Sequence, residues 1–236
     1  GLDDLDVARA TLESHKALAA LLPESAFKAE LVKLCLPGEP VADEVATGMN
    51  LAAWLLTRPA DRARYVQLLD SGVHTGLGGL GYDGHQNHVS RVGTNTAHML
   101  QSLTRIVNKP GENNAGKLDL NKHTVVLNTE FGRAPVPEFS PNNPDGSGTD
   151  HWPYGYVVVA FGGVVDQARS GIVGAIGQDA RAIDAISPTE HRAALLMAMG
   201  IWPFEPEAFA TADVRGLSNE ADAAAFLREV VLGYPA

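Results

Sequence analysis

Asp83-Gly84-His85-Gln86-Asn87-His88 places one carboxylate and two imidazoles within six residues. Carboxylate oxygen and imidazole nitrogen are ligands that zinc, manganese and iron accept, so the segment is a candidate metal loop. The competing reading is a polar loop whose rings hydrogen-bond to backbone. Thr149-Asp150-His151-Trp152-Pro153 offers a second pair. Asp150 and His151 can supply two ligands, or one ligand and the group that orients it; a structural turn is the alternative. A third group, Glu130-Phe131-Gly132-Arg133, closes the strongest strand pattern in the chain. There Glu130 and Arg133 are the candidate catalytic residues. Glu130 could bind metal, and Arg133 could hold an anionic substrate through its planar fork, unless the two form an ion pair with each other.

Other chemistries find little footing. The chain has no Gly-x-Ser-x-Gly elbow, no Walker loop, and no dinucleotide fingerprint between a strand and a helix. His15, His98 and His191 fall on helical patterns without acidic or histidine neighbours at ligand spacing, and read as surface or packing residues. His74 is a minor candidate, and His123 opens a strand as a structural residue. The single cysteine, Cys35, excludes an internal disulfide and a multi-cysteine zinc site. Its apolar neighbours predict a buried, inert thiol.

The elements that must position these residues follow from periodicity. Leu5, Leu12, His15, Ala19 and Leu22 predict a first helix, and Phe27, Leu31 and Leu34 a second after Pro23. A third covers about 42–56. Tyr65 to Leu69 reads as a buried strand, followed by a glycine-rich loop leading to the histidines. Met99, Leu100, Leu103 and Val107 predict a helix from Thr96 to Val107. His123 to Asn128 is the clearest strand, Tyr156 to Phe161 a second, and Ile172 to Ile176 a short third. Ser187-Pro188-Thr189-Glu190 has the form of a capping box opening a helix that Gly200 ends, and a last helix covers about 219–231. Alternating strands and helices predict an α/β fold, a mainly parallel central sheet flanked by helices. Metal sites in such sheets lie at the carboxyl ends of strands.

A net charge of −10 without a basic stripe argues against nucleic-acid binding. The apolar run Tyr156 to Phe161 is broken by Gly162-Gly163 before Val164-Val165. It falls far short of the roughly 18 residues of a membrane span. The chain starts at Gly1, so either a leader has been removed or the sequence is a fragment.

Tyr82-Asp83-Gly84-His85, the run Val125 to Arg133, and Asp150-His151-Trp152-Pro153 leading into Val157 to Gly163 together resemble the domain of unknown function 1501 family. That family belongs to the alkaline-phosphatase-like superfamily, which includes sulfatases and cofactor-independent phosphoglycerate mutases. The resemblance spans roughly residues 64–200. It implies a single α/β domain over residues 1–236, helical over 1–60, forming the C-terminal part of an alkaline-phosphatase-like fold whose N-terminal half is missing. It further implies one divalent ion (zinc, manganese, iron or calcium) held by Asp83, by His85 or His88, and by His151, with Asp150 beside it. The superfamily's second metal normally sits on an Asp-His pair after the central strand. Here that pair reads Glu130-Phe131, and phenylalanine cannot coordinate, so a two-metal site is not expected. The implied activity is hydrolysis of a small anionic ester, phosphate or sulfate, in a periplasmic or extracellular setting. The alternative is a non-catalytic metal-binding or assembly protein of the cell envelope. Oligomeric state is left open.

Overall fold

The computed structural model describes residues 43–59, 62–70, 72–73, 80–141, 143–163, 171–204 and 209–233. The two N-terminal helices expected from Leu5 to Leu34, with His15, Cys35 and His74, lie outside the described residues. Helix α1 (Glu44–Thr57) starts at Asp43, whose carboxylate accepts the Ala46 N–H at 2.9 Å and satisfies one of the first turn's free donors. Helix α2 (His88–Ile106) packs along it. Met49 and Ala53 of α1 meet Leu103 and Ile106 of α2 and Leu118 in one core cluster, and Val125, Leu127 and Phe161 lean on it.

The expectation of a mainly parallel central sheet is overturned. Among the described residues the strands form five separate two-stranded pairs, every one antiparallel. Strand β3 (Thr124–Leu127), read correctly as the clearest strand, pairs with β8 (Val159–Gly162), Thr124 opposite Gly162 and Leu127 opposite Val159. The physical reason lies between them. Parallel neighbours need a crossover of a dozen or more residues, usually a helix, and no helix is described between Leu127 and Val159. That stretch folds back on itself instead. Inside β3–β8 nests β4 (Gly132–Arg133) against β7 (His151–Trp152), and inside that β5 (Glu138–Ser140) against β6 (Asn143–Gly148). The prolines of this stretch, which cannot donate to a ladder, keep each pairing short. Two small ribbons complete the strands: β1 (Gly72–Val73) with β2 (Leu80–Gly81), and β9 (Ala175–Ile176) with β10 (Ala182–Ile183).

Tyr65 to Leu69 joins no ladder, with Leu69 93% exposed, so the buried strand expected there is absent. Helix α2 begins eight residues before the expected Thr96. Its first two turns hold Val89 and Val92 as their only apolar residues besides Gly93, and Val89 is exposed, so the apolar stripe there is weak. Helix α3 (Pro188–Ala198) has the expected capping box: Glu190 N–H donates to Ser187 Oγ at 3.0 Å, and Ser187 N–H to Glu190 Oε2 at 2.6 Å. The last helix is α4 (Glu220–Phe226), capped by Asn219 and running into a π-helical turn over Leu227–Val231. Ala193, Ala194, Phe204, Val214, Ala223, Leu227 and Leu232 form its own core with α3. Among the described residues no helix is long and apolar enough to cross a membrane.

Candidate metal site

Two chain segments build the site. One is the loop 83–87 before α2; the other is the nested hairpin of β4 to β7. They are joined by one backbone–backbone and one backbone–side-chain hydrogen bond. Thr149 N–H donates to Gly84 O at 2.9 Å, and Asn87 N–H donates to Ser147 Oγ at 3.1 Å. Gly148 lies against the His85 carbonyl so closely that a Cβ there would overlap it. Asn87 takes a left-handed conformation, φ 49°, which turns the loop into the first residue of α2.

Within this frame one donor atom each from His85, Asp150 and His151 converge, all within 4.8 Å of one another. His85 Nε2 and His151 Nε2 are 3.1 Å apart, with ring centroids at 4.8 Å. His151 stands opposite Arg133 in the β4–β7 ladder, so the two side chains leave the ribbon on the same face. Trp152 alternates to the other face, where its Nε1–H donates to Ala180 O at 2.8 Å. The Asp150 carboxylate accepts the His151 N–H at 2.7 Å, and Ala134 N–H donates to Asp150 O, so both backbone and side chain of Asp150 are anchored.

The remaining expected residues surround this triad. Asp83 lies 3.8 Å from His85 Nε2 and is 68% exposed, and its Oδ1 pairs with Arg133 Nη2 at 3.4 Å. Burial works to raise the Asp83 carboxyl, but the His85 N–H, the His85 ring and Arg133 outweigh it and hold it below the ordinary 3.8. Arg133 also donates from Nη1 to Thr149 O at 2.9 Å, and Arg91 to Asp83 O at 3.1 Å. The Arg133 partner is thus Asp83 and not Glu130, the ion pair weighed from sequence. Glu130 is exposed and stands outside the triad. His88, the first residue of α2, folds its ring over Gly84, where a Cβ would collide with Nδ1. Burial first, and then the Arg133 charge, lower its basicity. Of the two histidines left open by sequence, the structure brings His85 to His151. Phe131 packs on the His151 ring, centroids 4.1 Å apart.

The arrangement suits a divalent ion. Two imidazole nitrogens on one tetrahedral ion, with bonds of about 2.0–2.1 Å, stand about 3.3 Å apart, close to the 3.1 Å found. Among the described residues His88 Nδ1 is buried without a hydrogen-bond partner, on the ring that lies over Gly84.

Sequence reading missed Glu138. Its Oε2 is 2.6 Å from His85 Nδ1, although 53 residues separate the two. No local pattern singles it out: Glu138 and Asp145 are the two carboxylates of a proline-rich loop. His98, without an acidic neighbour at ligand spacing in sequence, meets the distant Asp43 at 2.9 Å across the α1–α2 contact. His123 bonds its ring Nδ1 to the Asp119 backbone, and His191 is half-buried on α3.

Compared with known families, the chain matches the model of the Protein of unknown function (DUF1501) family over residues 42–222. It belongs to that family. No curated protein and no solved structure matches it.

Proposed function

We propose that this member of the DUF1501 family holds one divalent metal ion on His85, Asp150 and His151, and that it hydrolyses a small phosphate or sulfate ester. The observation that carries the reading is the convergence of two imidazoles and a carboxylate, with Nε2 to Nε2 at 3.1 Å, from segments 66 residues apart. Three protein ligands with a position left open are the pattern of catalytic zinc sites. Two imidazoles among three donors favour zinc, manganese or iron over calcium, which prefers six to eight oxygens. A bound ion of this kind supplies Lewis acidity to an ester oxygen or a water of lowered pKa.

The protein's own groups would do the rest. Arg133, on the same ribbon face as His151, carries the guanidinium fork that pairs with a tetrahedral anion. Asp83 holds that fork toward the triad. Phe131, packed on the His151 ring, offers no ligand atom, in keeping with a single ion. Kinship with the alkaline-phosphatase-like superfamily is part of this proposal through motif order alone; the antiparallel β3–β8 pair lends it no support. A periplasmic or extracellular setting rests on the same resemblance.

The test is elemental mass spectrometry of the purified chain beside His85→Ala, His151→Ala and His98→Ala, followed by assays on aryl phosphate and aryl sulfate esters. About one equivalent of metal is expected in the parent and in His98→Ala, with loss in the two site variants. Equal metal content in all four would sink the site. A second reading is favoured by one observation: Arg133 is already occupied by Asp83 and Thr149, and Glu130 is exposed to solvent. That reading is a non-catalytic metal-binding or assembly protein of the envelope, and a metal-loaded chain that turns over neither ester class would support it.

A further inference from the structure

Resting on that metal reading, we infer that Glu138 is the positioning residue of the site: it fixes the tautomer of His85 and raises the affinity for the ion without touching it. An ionised carboxylate can only accept hydrogen bonds. At 2.6 Å from Glu138 Oε2, His85 Nδ1 therefore carries the proton. In the neutral ring that leaves the Nε2 lone pair free, and Nε2 is the atom that faces His151 at 3.1 Å. Metal-bound histidines commonly donate their second ring N–H to a carboxylate in this way, and the added negative charge makes the ligating nitrogen more basic.

The fold delivers Glu138 with care. Its backbone carbonyl accepts a hydrogen bond from Asn143 Nδ2, and Asn143 is 2% exposed. The Asn143 Oδ1 in turn accepts from Ser147 Oγ, the atom that receives the Asn87 N–H. Glu138 stands opposite Gly148 in the β5–β6 ladder, and Gly148 is the residue pressed on the His85 carbonyl. One hairpin thus holds His85 twice, by its backbone through Gly148 and by its ring through Glu138. The Glu138 side chain is 26% exposed, shielded enough for the charge to act on the ring.

The experiment compares zinc affinity, by competition with a chromophoric chelator, in the 236-residue chain, in Glu138→Gln and in Asp145→Asn. The glutamine substitution keeps the shape of the side chain and removes its charge. Asp145 sits on the same hairpin, accepts the Ser147 N–H, and serves as the control. Glu138→Gln should bind about 10- to 100-fold more weakly, while Asp145→Asn matches the parent. At alkaline pH, where imidazoles are neutral, the ring nitrogen shifts of metal-free His85 should report the Nδ1–H tautomer in the parent and a mixture in Glu138→Gln. Parent-like affinity in Glu138→Gln overturns the inference and leaves the metal site standing. A parent that binds no zinc overturns both. Should the variant fail to fold, the parent's own spectrum decides, since an Nε2–H tautomer for His85 is incompatible with the assignment.

Discussion

Replacing Gly148 by alanine tests whether the seat of the metal loop is as rigid as the geometry requires. An alanine Cβ would fall on the carbonyl carbon and oxygen of His85 and within 2.7 Å of Gln86 N, all of them backbone atoms. No side chain can swing aside to relieve the overlap, so the loop 83–87 and the hairpin must separate by on the order of 1 Å. Two consequences can be sized. Overpacking of this kind costs about 1–3 kcal/mol, which for a chain of this length lowers Tm by roughly 2–12 °C. Separation also stretches the Thr149–Gly84 and Asn87–Ser147 hydrogen bonds and carries His85 away from His151. Starting from 3.1 Å, the Nε2 atoms would stand about 4 Å apart, more than the roughly 3.3 Å one tetrahedral ion spans. Zinc affinity should therefore fall at least about tenfold, comparable to losing an orienting partner.

The matched control is Gly93→Ala, because a Cβ on this exposed α2 glycine meets nothing within 4 Å. Alanine is the better helix former by about 0.5–1 kcal/mol, so this variant should melt slightly higher and bind zinc as the parent does. Calorimetry and a chelator competition on both variants decide the matter. Unchanged zinc affinity in Gly148→Ala would refute the reasoning, because it would mean that the loop and hairpin can part without disturbing the donor set.

Three further outcomes follow from other parts of the fold. Ser187→Ala removes one of the two reciprocal bonds of the α3 cap, leaving the Glu190 N–H without the hydroxyl that accepts it; about 1 kcal/mol and a few degrees of Tm should be lost in thermal unfolding. His191 is held below its ordinary 6.5 by burial first and then by Arg192. The unfolded chain thus binds more protons below that pH, stability should decline as pH falls from about 6.5 toward the folded value, and His191→Leu should flatten that limb in denaturant titrations. For Asp43, burial alone raises the carboxyl, but the Ala46 N–H and then His98 and Arg105 outweigh it and hold it below 3.8. Its contribution should be present above that value and lost as pH falls through the lower folded one, and Asp43→Ala should remove about 1 kcal/mol measured near neutrality by the same titration.

Local chemistry was legible wherever neighbours in sequence decide the structure. The Ser187 and Glu190 side chains need only each other and the helix end, so their box could be read from four letters. The apolar run of β3 and its partner β8 were legible as strands for the same reason. Direction was not. Alternation of strand and helix patterns points to parallel sheets only where a helix lies between two strands, and the 31 residues separating Leu127 from Val159 contain prolines, glycines and asparagines in its place. Tyr65 to Leu69 shows the converse failure: an apolar run has the composition of a strand, yet it makes no ladder among the described residues. Its exposed leucines, Leu68 and Leu69, show that composition alone cannot supply a partner.

The candidate site divides along the same line. His85, Asp150 and His151 were visible because metal-ligating residue types announce themselves, whereas the choice between His85 and His88 was not, since both lie in one short segment. The early start of α2 makes that choice. It takes His88 into the helix and over Gly84, and leaves His85 on the loop that the hairpin grips. Glu138 was illegible because its role depends wholly on which strand folds against which loop. Loss of the expected parallel sheet therefore does not weaken the site, because no parallel strand end positions it. The nested antiparallel hairpin sets Arg133 and His151 side by side, brings Asp150 next to them, and reaches back through Gly148 and Glu138 to seize His85. An ion on these residues would link two segments 66 residues apart at the point where their backbones already touch. Little reorganisation would then oppose binding, because the contacts that close the loop are made by Gly84, Asn87, Ser147 and Thr149 before any ligand arrives.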